Sequence, residues 1–178
     1  LGKNGRGGKG EGKGNAFLGH IKDVDAIIQV VRCFEKAPGG EDITHVSGKV
    51  DPISDIETID TELLLSDLET VESALPKAER AVKGKDPEAI VRLAVLKKLH
   101  PVLAEGRPAR VLVEQNAFET ADERRALKSL GMLSAKRVLY IANVDDSDVR
   151  GEGPLAQKVR EHAAKEGMQV VPVCAKIE

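Results

Sequence analysis

Apolar residues follow two rhythms along this chain, and each predicts a different kind of element. "VDAIIQVVRCF", Val24 to Phe34, is a near-continuous run rich in β-branched residues. A strand buried on both faces of a parallel sheet reads this way, because neither of its sides alternates with solvent. "RVLYIANV", Arg137 to Val144, and "MQVVPVCA", Met168 to Ala175, repeat the character. Between these two, Pro154 to Glu166 has helical spacing, with Pro154 suited to a first turn and Gly167 to a C-terminal cap. Strand, helix and strand in that order predict a β-α-β unit. Pro172 lacks the N–H that a central strand donates, which points to an edge position or to the end of its strand.

The stretch between the first two strands keeps instead to steps of three and four. Ile56, Ile59, Leu63, Leu64, Leu68, Val71, Leu75, Ala78 and Val82 trace one face of a long amphipathic helix. Ser54 with Glu57 predicts a capping box at its start, and Pro76 predicts a kink. "KGKD", Lys83 to Asp86, turns the chain: Gly84 is expected in the left-handed conformation, and Asp86 with Pro87 starts a second helix carrying Ile90, Leu93, Leu96, Leu99 and Leu103. Helices joined by so short a turn form an antiparallel hairpin. A third, shorter helix is expected from Thr120, capped through Glu123, to Gly131. The fold class is therefore α/β: a parallel sheet built from residues 1–50 and 135–178, interrupted by a helical insertion over residues 51–134.

Composition narrows the function classes. With 178 residues the chain suits one ordinary domain or a domain carrying an insertion. Its 27 basic and 29 acidic side chains leave a formal charge of −2, which gives no overall electrostatic argument for nucleic acid or membrane and leaves local basic patches open. The longest apolar stretches fall far short of the roughly 20 residues that span a bilayer, and neither a membrane nor DNA is an expected partner. One Tyr, three Phe and no Trp argue against an interface that stacks bases. Cys33 and Cys174 follow no C-x-x-C spacing, so neither a zinc site nor a disulfide framework is expected, and a reducing cytoplasm fits best. A start on Leu1 and an end directly after an apolar run suggest a piece of a longer protein.

Two places carry candidate chemistry. "GRGGKGEGKGN", Gly5 to Asn15, matches G-x-G-x-x-G and most of the G-x-x-x-x-G-K-[ST] phosphate loop, yet only four residues precede it and Gly14 stands where the Ser or Thr hydroxyl would bind magnesium. Without a delivering strand or that hydroxyl, a flexible or switch-like loop is the better reading. The second place is the carboxyl end of the sheet, where ligands of open parallel α/β folds bind. There "NVDD", Asn143 to Asp146, follows one strand, and "CAKIE", Cys174 to Glu178, follows the next. An amide and a carboxylate three residues apart, facing a small-residue turn and a lysine, could bracket the edge and ring of a nucleobase. The same residues also suit an Asn-capped turn followed by a solvated acidic loop.

"KGEGKGNAFLGHIKDVDAIIQVVRCF", "DITHVSGKVDPISDIETIDTELLLSDLETVE", "LYIANVDD" and "VVPVCAKIE", in this order, resemble the Obg-like ATPase family, known as YchF in bacteria, over most of the chain. The resemblance implies a P-loop NTPase-type sheet with an inserted coiled-coil arm. It also implies a translation-factor-related protein that hydrolyses ATP, and also binds GTP, with Mg²⁺, and that associates with the ribosome through its large subunit. Asn143, Val144 and Asp146 then fall in the fourth nucleotide-binding motif, and Cys174, Ala175 and Lys176 in the fifth, usually S-A-K. Val144 replaces the lysine of the guanine-reading N-K-x-D, so the backbone around Asn143 and Val144 is expected to read N6 of adenine, while Asp146 stands where the family commonly has Glu. His45, in "DITHVSGK", becomes the candidate catalytic residue, positioning water where Ras-like enzymes use glutamine. The glycine stretch would follow the D-x-x-G element of switch II. The Walker A loop and every magnesium ligand are expected outside this chain, which alone would then be inactive. The rival reading is a non-catalytic interaction module whose hairpin holds a partner.

Overall fold

The computed structural model describes residues 24–35 and 49–175, so the glycine-rich stretch lies outside the described residues. The chain runs β1 (Ala26–Arg32), α1 (Pro52–Val82), α2 (Pro87–Ala104), α3 (Arg110–Glu114), α4 (Ala121–Leu130), a 3-10 turn (Leu133–Ala135), β2 (Arg137–Asn143), α5 (Pro154–Lys165) and β3 (Gln169–Val173). It divides into two compact units. One is Leu63–Ala135, and the other joins the described parts of Asp25–Glu62 and Lys136–Glu178, so that the start of α1 counts with the sheet.

In the sheet unit the three strands are parallel, in the order β1-β2-β3. Ala26 pairs with Arg137 and Arg32 with Asn143 on one side of β2, and Asn143 pairs with Val173 on the other. Pro172 sits in β3, at an edge of the sheet among the described residues, where its missing N–H breaks no ladder on the outer side. Val31 and Cys33 of the β1 segment, Val138, Tyr140 and Ala142 of β2, Ile56 of α1, and Ala156, Val159 and Ala163 of α5 form a single buried cluster. Their period-two spacing on the strands puts that cluster on one face. The expectation that β1 is buried on both faces is not met: Ile28 and Val30 are 63% and 64% exposed, because among the described residues the packed helices cover only the opposite face. An apolar run shows that a strand can be covered on two sides, not what covers it.

The helical unit has its own core, in which Val71, Val95, Leu96, Leu99 and Leu103 pack with Phe118, Leu130 and Met132. Two of its local signals resolve differently from the sequence pattern. The long helix starts at Pro52, and Asp51 caps it by accepting from the N–H groups of Ile53 and Ser54 at 3.2 and 3.3 Å, which leaves Ser54 inside the first turn. Proline at the first helical position needs no donor, so Asp51–Pro52 wins over Ser54–Glu57. At its far end, Lys83, Gly84 and Lys85 donate to Arg80, Ala81 and Val82 at 3.2, 3.0 and 2.9 Å. These bonds tighten the last turn, so the left-handed conformation falls on Lys85 (φ 58°) and not on Gly84. Asp86 caps α2, Thr120 and Glu123 close the capping box of α4, and Gly131 ends α4 at φ 63°, all at the expected positions.

Asp67 was not read from the sequence at all. It is fully buried, and its carboxylate accepts from Leu133 N at 2.8 Å, Ser134 N at 2.7 Å and Ser134 Oγ at 2.6 Å. Ser134 Oγ in turn accepts from Ala109 N at 3.0 Å. A buried carboxylate so surrounded by donors pins α1 to the 3-10 turn that leads into β2.

Candidate functional site

The carboxyl ends of β2 and β3 are held together beyond the strands themselves. Cys33 N donates to Asn143 O at 2.8 Å, and Val144 N donates to Val173 O at 2.9 Å. The ladder therefore continues one residue past β2 and sets Asn143 and Val144 beside Val173, Cys174 and Ala175. Of the residues singled out from the sequence, Asn143 is half-buried at the strand end, Val144 and Cys174 are buried, and Asp146 and Ala175 are exposed. His45 and Lys176 lie outside the described residues. The Val144 N–H is used by the sheet. The Asn143 carbonyl is used as well, by Cys33 N, so what Asn143 can offer a ligand is its side-chain amide.

The loop after β2 is a built turn and not the solvated acidic loop that the pattern also allowed. Asp145 Oδ1 accepts from Ser147 N at 2.9 Å and from Ser147 Oγ at 2.6 Å, an Asx turn made by Asp145 and not by Asn143. Asp148 accepts from Glu152 N at 2.8 Å and Gly153 N at 3.0 Å, immediately ahead of α5. Arg160 reaches back from α5 to donate to the carbonyls of Gly151 and Arg150, each at 3.0 Å. Gly151, at φ 63°, is pressed so close that a Cβ there would stand 2.8 Å from the Pro172 Cβ. An Asp five residues ahead of a Gly-Pro helix start was the one local signal for this arrangement. The contacts of Arg160 and Gly151 are set only by the fold.

Cys33, buried just past the carboxyl end of β1, has its thiol pushed up to about 11, first by burial and then by the negative charge of Asp148, so it is a neutral packing group and not a nucleophile. Both cysteines are free. Asp145 and Asp148 are engaged by hydrogen-bond donors, and no cluster of three metal-ligating side chains forms at this end among the described residues. The residues present do not make a Mg²⁺ site.

No protein-family model matches the chain. Curated proteins do. Ribosome-binding ATPase YchF of Bacillus subtilis is 45% identical over 173 residues, which is 96% of this chain and 44% of that protein. The protein of the same name from Haemophilus influenzae is 46% identical over 170 residues, with the same coverage of both. Obg-like ATPase 1 of Saccharomyces cerevisiae is 35% identical over 177 residues, covering 95% of this chain and 43% of its own. Among solved structures, the Schizosaccharomyces pombe YchF GTPase superposes with a TM-score of 0.70 at 31% identity, over 94% of this chain and 44% of that one. The chain thus spans less than half the length of the relatives it matches. By sequence and by fold it matches the YchF and Obg-like ATPases over the part of those proteins that it spans.

Proposed function

We propose that this chain supplies the base-binding half of a nucleotide site, in a P-loop switch protein that binds and hydrolyses ATP with Mg²⁺, also accepts GTP, and works on the ribosome in the cytoplasm, through its large subunit. The observation that carries the reading is the extension of the β2–β3 ladder, which seats Asn143 and Val144 against Cys174 and Ala175 at the carboxyl end of a parallel sheet. The N6 amine of adenine is a donor, and the oxygen of the Asn143 side-chain amide is an acceptor, so adenine suits it. Residues 51–134 act as an inserted arm, and His45 positions the attacking water. The phosphate-binding lysine and the magnesium ligands are not among the residues that the resemblance assigns to this chain, so the chain by itself releases no phosphate from Mg-ATP.

Asp146 decides how sharply ATP is told from GTP. A carboxylate facing N1 of adenine meets a lone pair, whereas the same carboxylate accepts from N1–H and the amine of guanine. The test joins this chain to a phosphate-binding loop and measures ATP and GTP affinity, with Asp146 intact and as Asp146→Glu. ATP is expected to bind better in both, with discrimination improved in the variant by on the order of 1 kcal/mol. Tighter binding of GTP would overturn the adenine assignment.

A further inference from the structure

A second group of chemically capable side chains lies in the sheet unit, near the end where β3 begins, away from the base pocket. Asp60 projects from α1, while His162 and Glu166 stand one turn apart at the C-terminal end of α5. One ligand atom from each lies within 4.8 Å of the other two. His162 Nε2 is fully shielded from solvent and makes no hydrogen bond among the described residues. Its distance to Glu166 Oε2, 3.7 Å, is too long for one. Buried polar atoms are almost always partnered, so a shielded ring nitrogen that stops 3.7 Å short of one carboxylate, with a second carboxylate in the same group, marks room for a third party.

The dimensions suit a metal ion. An ion about 2.1 Å from both Nε2 and Oε2 would see them at an angle of roughly 125°, a few degrees wider than the trigonal value and within reach of a distorted tetrahedron. Glu166 Oε2 also accepts a hydrogen bond from the hydroxyl of the fully buried Tyr140, 3.0 Å away, the outer-sphere support that ligating carboxylates have. The side chains of His162 and Glu166 keep 21% and 24% exposure, enough for an ion to enter and for solvent to complete its shell. One imidazole among the donors turns the site away from Mg²⁺ and Ca²⁺, which prefer oxygen throughout, and toward zinc and its first-row neighbours.

We propose that Asp60, His162 and Glu166 bind one divalent transition-metal ion, zinc by preference, which ties the first turns of α1 to the end of α5. The site is independent of the Mg²⁺ that accompanies nucleotide.

Cobalt(II) is the probe, added to the full chain after chelator treatment. One ion per chain is expected, with visible d–d absorption that zinc abolishes and a large excess of Mg²⁺ does not. His162→Gln and Glu166→Gln should weaken binding at least 100-fold, and Tyr140→Phe about tenfold. The unaltered chain gives a second reading that no folding defect can disturb: zinc should shift the ¹⁵N resonance of His162 Nε2 in an imidazole-detected spectrum. Equal cobalt affinity in His162→Gln, or a His162 resonance indifferent to zinc, would overturn the proposal.

Discussion

Asp67 carries a large stability effect in the helical unit for a single polar side chain. Its truncation leaves the N–H groups of Leu133 and Ser134 buried without an acceptor, and such losses run to about 3–5 kcal/mol when a charge-assisted network is broken. Asp67→Ala should therefore lower the urea midpoint sharply, and Asp67→Asn, which keeps one carbonyl oxygen, should lower it less. Equal effects would mean that the contacts serve packing alone. Cys33 works on pH instead. Because folding raises its thiol from 9.0 to about 11, the neutral thiol belongs to the folded state and the thiolate to the unfolded one. Stability from this group is complete below about pH 9 and declines as pH rises toward 11. Urea titrations at pH 8 and pH 10.5 should show a drop that is smaller in Cys33→Ala, and an identical drop would clear the thiol.

Between β2 and α5 the connection is a fixed piece of structure, held by Asp148, Arg160 and the approach of Gly151 to Pro172. Gly151→Ala combines left-handed strain with a collision against a rigid ring. Gly167→Ala, at φ 66° with nothing within 4 Å, meets the strain alone. Thermal unfolding should show the first costing about 2–3 kcal/mol and the second about 1 kcal/mol. Matching losses would remove the Pro172 contact from the account. These elements also mark where the sequence was readable. Strands, long helices and the caps at Asp86 and Thr120 were legible because their signals lie within a few residues of one another. The strand-end position of Asn143 followed from the same local pattern. Asp67 and its partners, and Asp60 with His162, meet only through the fold, and nothing near them in sequence announces the pairing.

At the scale of the whole molecule, two separate cores imply two separable responses. Tyr140 is the only tyrosine, there is no tryptophan, and it sits in the sheet unit, so its fluorescence reports that unit alone. Leu99→Ala, a fully buried deletion in the helical core, should cost about 2–5 kcal/mol and move the far-ultraviolet circular dichroism transition further than the Tyr140 transition. Coincident shifts would show one cooperative unit. The parallel pairing of Ala26 with Arg137 sets the order in which these units form. Every helix of α1 to α4 lies between the two strands in sequence, so during synthesis β1 leaves the ribosome long before its partner exists. Closing so long a loop from a disordered chain is slow, whereas the hairpin contacts of α1 and α2 are local and fast. Once the helical unit has folded, its ends replace most of that loop with a short, stiff bridge. The helical unit is thus a folding scaffold for the sheet, and a lesion in its core is expected to delay the pairing of β1 with β2 without touching a residue of either strand.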